Sequence, residues 1–66
     1  MKILVNGDSH EIRAGDLAGA LEELGYGGGA VVATAVNAEF VPAAARQALR
    51  LAEGDRVEVL APMQGG

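Results

Sequence analysis

Sixty-six residues leave room for one small domain, and half of them are apolar with only Tyr26 and Phe40 aromatic, so the core has to be assembled from Leu, Ile, Val and Ala. The chain contains no cysteine, which excludes a disulfide framework, a zinc ribbon and a thiol nucleophile together. Nine acidic against five basic residues give a formal charge of −4, the wrong sign for gripping a phosphate backbone and the right one for meeting a basic protein surface.

In chain order, Lys2-Ile3-Leu4-Val5 is β-rich, Asn6-Gly7 is the dipeptide preferred in tight hairpins, and Ser9 to Ile12 forms the returning strand. Asp16 then serves as an N-cap, with Leu17, Ala20, Leu21 and Leu24 on one helical stripe and Glu22 and Glu23 away from it. Gly25 supplies the stop, and Gly27-Gly28-Gly29 extends it into a flexible connection. Ala30 to Val36 is a small-and-branched run that suits a buried strand. Asn37-Ala38 turns it toward Glu39-Phe40-Val41, where Pro42 ends the pairing. Ala43 to Leu51 suits a short helix or single turns crossing an end of the sheet. Gly54-Asp55 marks a turn, and Arg56 to Leu60 alternates charged and apolar residues before the tail Ala61-Pro62-Met63-Gln64-Gly65-Gly66.

One amphipathic helix covers one face of a small mixed sheet, the two-layer α+β solution. A β-grasp architecture satisfies this order: about five strands on one main helix, the first and last strands side by side in the middle. Residues 1–60 form the domain and 61–66 a flexible C-terminal tail. Alternation points Ile3, Val5, Val57 and Val59 toward the helix, and Lys2, Leu4, Arg56, Glu58 and Leu60 away from it. Leu4 and Leu60 thus stand on the open face as a candidate docking patch near the root of the tail. No stretch approaches the ~20 apolar residues of a membrane span, and no cleavage-site pattern follows Met1, so the expectation is a soluble, unprocessed cytoplasmic protein with neither nucleic acid nor membrane as partner.

The terminal Gly65-Gly66 is the most informative feature. A main-chain carboxylate becomes electrophilic only when activated, for instance as a mixed anhydride with AMP, and its terminus must then thread into an enzyme's nucleotide site. Glycine has no Cβ to obstruct a narrow channel and turns where other residues do not. Six extended residues from Ala61 span about 20 Å, enough to keep the body outside while the carboxylate reaches an interior site. Pro62 stiffens the root of this arm. Elsewhere the sequence offers no chemistry of its own. His10 has no second metal ligand at suitable spacing and reads as a solvated side chain. Gly27 to Gly29 lacks the lysine and hydroxyl of a phosphate-binding loop, and Ser9 and Thr34 have no base partner. Glu22, Glu23, Glu53, Asp55 and Glu58 read as a solvated acidic surface.

With these residues in view, the chain resembles the small sulfur carriers of thiamine thiazole biosynthesis, the ThiS family within the ubiquitin-like β-grasp group. The resemblance runs end to end: Val5-Asn6-Gly7, Ala35-Val36-Asn37, Phe40-Val41-Pro42, Gly54-Asp55-Arg56-Val57-Glu58 and the ending Ala61-Pro62-Met63-Gln64-Gly65-Gly66. It implies a carrier with no catalytic residue, metal or tightly bound cofactor of its own. An E1-like adenylyltransferase of the ThiF type, using ATP and magnesium, would convert the Gly66 carboxylate to an acyl-adenylate. Sulfur drawn from cysteine through a persulfide donor such as a cysteine desulfurase would displace AMP and leave a thiocarboxylate. A ThiG-type thiazole synthase would accept that sulfur, with Gly65, Gln64, Met63 and Pro62 guiding the arm. The chain departs from the family in one place: Pro42 is followed by Ala43-Ala44-Ala45 where members often carry a basic residue, and Arg46 comes only later. The rival expectations are a carrier for molybdopterin, cysteine or tRNA thiolation, a β-grasp interaction module whose glycines are a frayed end, and a modifier joined to lysines.

Overall fold

The computed structural model describes residues 1–27 and 31–61. Strand β1 (Lys2–Val5) turns through Asn6 and Gly7, at φ 51° and 89°, into the antiparallel β2 (Asp8–Glu11). Positive φ at both central residues is the type I′ signature, whose twist matches that of the flanking strands. Helix α1 (Leu17–Glu23) starts where Asp16 Oδ1 accepts the Gly19 N–H at 2.7 Å. It ends in a Schellman motif: Gly25 at φ 94° donates to Glu22 O, and Tyr26 donates to Leu21 O at 2.8 Å. The Glu23 carboxylate reaches back to the connection before the helix and accepts from the backbone N–H groups of Arg13 and Ala14 at 2.7–3.0 Å. Those two N–H groups favour the ionised carboxylate and hold its pKa below the ordinary value.

Strands β3 (Ala33–Val36) and β4 (Glu39–Val41) form a second antiparallel pair, and β5 (Arg56–Leu60) closes the sheet. The order is β2-β1-β5-β3-β4, with β5 parallel to β1 and antiparallel to β3. The first and last strands therefore lie side by side in the middle, as the element order predicts. Ile3, Val5, Val57 and Val59 all point into the core, where they meet Leu17, Ala20 and Leu21 of the helix. Thr34 is the one buried polar side chain among the described residues; its hydroxyl donates to Val41 O at 2.8 Å and accepts from Arg46 Nε at 3.1 Å.

One expectation is corrected, and one open alternative is decided in favour of single turns. Strand β3 begins at Ala33, because its partner β5 ends at Leu60, which faces Ala33. Val31 and Val32 have no facing strand, and branched side chains alone do not hold an extended segment in a sheet. Ala30, where the strand was expected to start, lies with Gly28 and Gly29 outside the described residues. Between Ala43 and Leu51 the chain forms a single 3₁₀ turn (Ala43–Ala45) and then runs as turns to a bridge between Arg50 and Asp16. There Leu17 N–H donates to Leu49 O and Leu51 N–H to Gly15 O, which seats Leu51 in the core.

Candidate functional site

The arm expected to carry the chemistry starts from β5. Leu60 is the last residue of that strand and Ala61 the last described residue of the chain. Pro62, Met63, Gln64, Gly65 and Gly66 lie outside the described residues. What the structure defines is the surface at the root of the arm.

Strand alternation turns one set of side chains away from the helix, and β5 makes this open face continuous with the arm. Leu60 is 69% exposed and pairs with Ala33; Phe40 is 71% exposed and pairs with Ala35; Val31 is 75% exposed just before β3. These three are the large apolar side chains left in water among the described residues. Ala33 and Ala35 lie between Phe40 and Leu60 in the sheet, and their short side chains leave the surface low there. Val31, Val32, Ala33, Leu60 and Ala61 together line a shallow apolar groove at the foot of the arm.

Leu4 shares the open face with Leu60, but the structure does not bring the two together. The parallel register sets Leu4 beside Arg56, four residues before Leu60, which is about 13 Å along the strand. Leu4 is half-buried between Arg56 and Ser9 of β2. The neighbours of Leu60 are instead Val31 and Ala33, with Phe40 one row further on. Phe40 was legible in the sequence, since Val41 points inward and its neighbour must point out. Val31 was not, because only the end of β5 excludes it from the sheet.

The charged group beside this apolar surface in the sheet is Glu58, which faces Ala35; Arg56, facing Leu4, lies about 13 Å away along β5. On the opposite side of the domain, a depression between α1 and the 43–47 segment is bordered by Glu22, Tyr26, Arg46 and Gln47. Its one cation is committed to the fold: Arg46 donates from Nη2 to Val32 O at 2.6 Å and from Nε to Thr34 Oγ1. Arg46 therefore braces the start of β3. His10 is exposed on the edge strand β2. Among the described residues no three His, Cys, Asp or Glu side chains are grouped to hold a metal ion, and no helix is long and apolar enough to cross a membrane.

Comparison with known proteins gives a consistent picture. The family model described as "ThiS family" matches residues 3–66. The chain is similar to a crystal structure of the thiamine biosynthesis protein ThiS from Geobacter metallireducens, at 28% identity and a TM-score of 0.81, with both chains covered completely. It is also similar to a solution structure of a thiamine biosynthesis protein from the same organism, at 28% identity and a TM-score of 0.77, covering 100% of this chain and 88% of that one. No curated protein matches the chain.

Proposed function

This chain belongs to the ThiS family, and on that premise we propose that it is a sulfur carrier of thiamine biosynthesis whose reacting group is the Gly66 carboxylate. The observation that carries the reading is the family match, which runs from Ile3 through the Gly65-Gly66 end and so includes the group that reacts. In the proposed cycle a ThiF-type adenylyltransferase binds ATP and magnesium, the Gly66 carboxylate attacks the α-phosphorus, and pyrophosphate leaves. A persulfide sulfur then attacks the acyl carbon and AMP departs, leaving a thiocarboxylate once the donor's sulfur–sulfur bond is cleaved by a second thiol. A ThiG-type thiazole synthase takes the sulfur and returns the carboxylate.

The protein's own contribution is recognition and reach. The β-grasp body is the handle, and the groove formed by Val31, Ala33 and Leu60 gives the partner an apolar hold beside the root of the arm. Glycine at the last two positions lets the terminus enter a channel closed to larger residues. No side chain of this chain acts as acid, base or nucleophile in the proposal, which makes it a co-substrate and not an enzyme. ATP and magnesium belong to the partner.

The test is intact-mass spectrometry after incubation with ATP, magnesium, a ThiF-type adenylyltransferase and a cysteine-fed sulfur donor. A gain equal to replacing one oxygen by sulfur, mapped to Gly66, is the expected result. An unchanged mass with an enzyme that thiolates its own carrier would overturn the thiamine assignment.

A further inference from the structure

The Asn6-Gly7 dipeptide has a role in the hairpin turn, but the Asn6 side chain does something the turn does not require. Strand β1 holds β5 through parallel rungs in which Leu4 N–H donates to Asp55 O and Asn6 N–H to Val57 O, both at 2.9 Å. The next rung would fall on Val59, and by then the β1 backbone has turned away toward β2. The Asn6 carboxamide supplies that rung. Its Nδ2 donates to Val59 O at 3.0 Å, and its Oδ1 accepts the Val59 N–H at 2.9 Å. A side-chain amide carries the same donor and acceptor as a peptide group, so it extends the ladder by one residue without a strand to provide it.

A matching device sits at the other end of β5. Asn37, also at a left-handed turn position with φ 51°, accepts the Arg56 N–H at Oδ1 and donates from Nδ2 to Asp55 Oδ1, each at 3.1 Å. The strand is thus held by one asparagine where it begins and by another where it ends. Only Asn6 acts at the end from which the arm leaves: Val59 is two residues from Ala61. Without the Asn6 rung, the polar backbone groups of Val59 on that side would face water, and the last residues of β5 would be secured by β3 alone.

Resting on the carrier reading, we propose that Asn6 is a positioning residue for the C-terminal arm, fixing the last residues of β5, from which the arm continues. An arm with a loose root has more backbone freedom to lose when it docks. That loss falls on binding and leaves the reacting geometry inside the partner's channel unchanged. The signature is therefore a raised KM with kcat retained.

The experiment measures ATP–pyrophosphate exchange by a ThiF-type adenylyltransferase against concentration of the full chain, for the wild type, Asn6→Gly, Asn6→Asp and Asn37→Gly. Glycine accepts the left-handed backbone at both asparagine positions, so these variants remove the side-chain bonds and keep the turns. Asn6→Gly is expected to raise KM roughly tenfold, the factor for re-ordering about one backbone residue on docking, with kcat within about twofold of wild type. Asn6→Asp keeps the acceptor for the Val59 N–H but sets a carboxylate oxygen against Val59 O, and is expected to raise KM as Asn6→Gly does. Asn37→Gly loses comparable bonds at the far end of β5 and lowers thermal stability with KM unchanged. Amide exchange, followed by NMR on the full chain, should accelerate at Val59 in Asn6→Gly and stay protected there in Asn37→Gly. Equal KM values for wild type and Asn6→Gly, or equal rises in Asn6→Gly and Asn37→Gly, would overturn the positioning role while leaving the carrier reading intact. A wild-type chain that supports no exchange with a demonstrably active enzyme would overturn both.

Discussion

Leu60→Ala probes the proposed docking surface with little disturbance to the fold. The Leu60 side chain points away from the helix and is 69% exposed, so truncating it removes little packing from the free protein. A stability change within about 0.5 kcal/mol is expected, as for surface positions in general. When a partner covers the groove, the remaining two-thirds or so of the side chain leaves water. Full burial of a leucine contributes roughly 1.5–3 kcal/mol, so the share at stake is about 1–2 kcal/mol. That corresponds to a roughly 5–30-fold rise in Kd. The assay is calorimetric titration against a ThiF-type adenylyltransferase, paired with thermal unfolding of the carrier alone. An unchanged Kd alongside an unchanged unfolding midpoint would refute the reasoning, because it would mean that the most exposed apolar residue of β5 stays in water in the complex.

Ala38 occupies the second position of a turn whose central residues both have positive φ, 51° and 71°. The left-handed region costs a non-glycine residue about 1–2 kcal/mol, and glycine returns about 0.4–1 kcal/mol of that through the unfolded chain. Ala38→Gly is therefore expected to raise Tm by about 3–6 °C, and a lower Tm would show that the turn is not strained. Thr34→Val removes a hydroxyl that both donates to Val41 O and accepts from Arg46 Nε inside the core. Leaving those partners unsatisfied should cost about 1–3 kcal/mol in denaturant unfolding, and a neutral result would mean that Arg46 and Val41 find water. Glu23 has a folded-state pKa below its ordinary value of 4.5, because the Arg13 and Ala14 N–H groups favour its charged form. Its stabilisation is complete above the unfolded value and is lost as pH falls through the folded one. Unfolding of Glu23→Gln followed from pH 7 to pH 3 should show a deficit at neutral pH that closes below about pH 4.5; a deficit constant with pH would mean that the charge is not what holds the loop.

Much of this molecule is local physics, and local physics is readable. The hairpin at Asn6-Gly7, the Asp16 cap, the Gly25 stop and the alternation along Arg56–Leu60 depend on residues within a few positions of one another. Each appears in the structure where turn chemistry and periodicity put it. The central placement of β1 and β5 was anticipated too, through the β-grasp architecture that this order of elements satisfies. The misjudged boundary of β3 shows where such reading stops. Ala30 to Val36 is uniformly suited to a strand, and what limits it is the length of β5, a partner more than twenty residues away in sequence.

The candidate docking surface divides along the same line. That Leu60 points outward follows from alternation alone, whereas its company does not: register, and not shared orientation, separates it from Leu4 and puts it beside Ala33. Arg46 illustrates the same limit, since nothing near it in sequence says that its guanidinium turns inward to Val32 O and Thr34. By itself the sequence determined the order of the elements and the sheet's open face, because these are matters of local propensity, and it supplied the diglycine end on which the carrier proposal rests. Only the tertiary structure decided that Asn6 completes the ladder at Val59, fifty-three residues on. A hydrogen bond of that reach exists only once two distant strands have been brought into register.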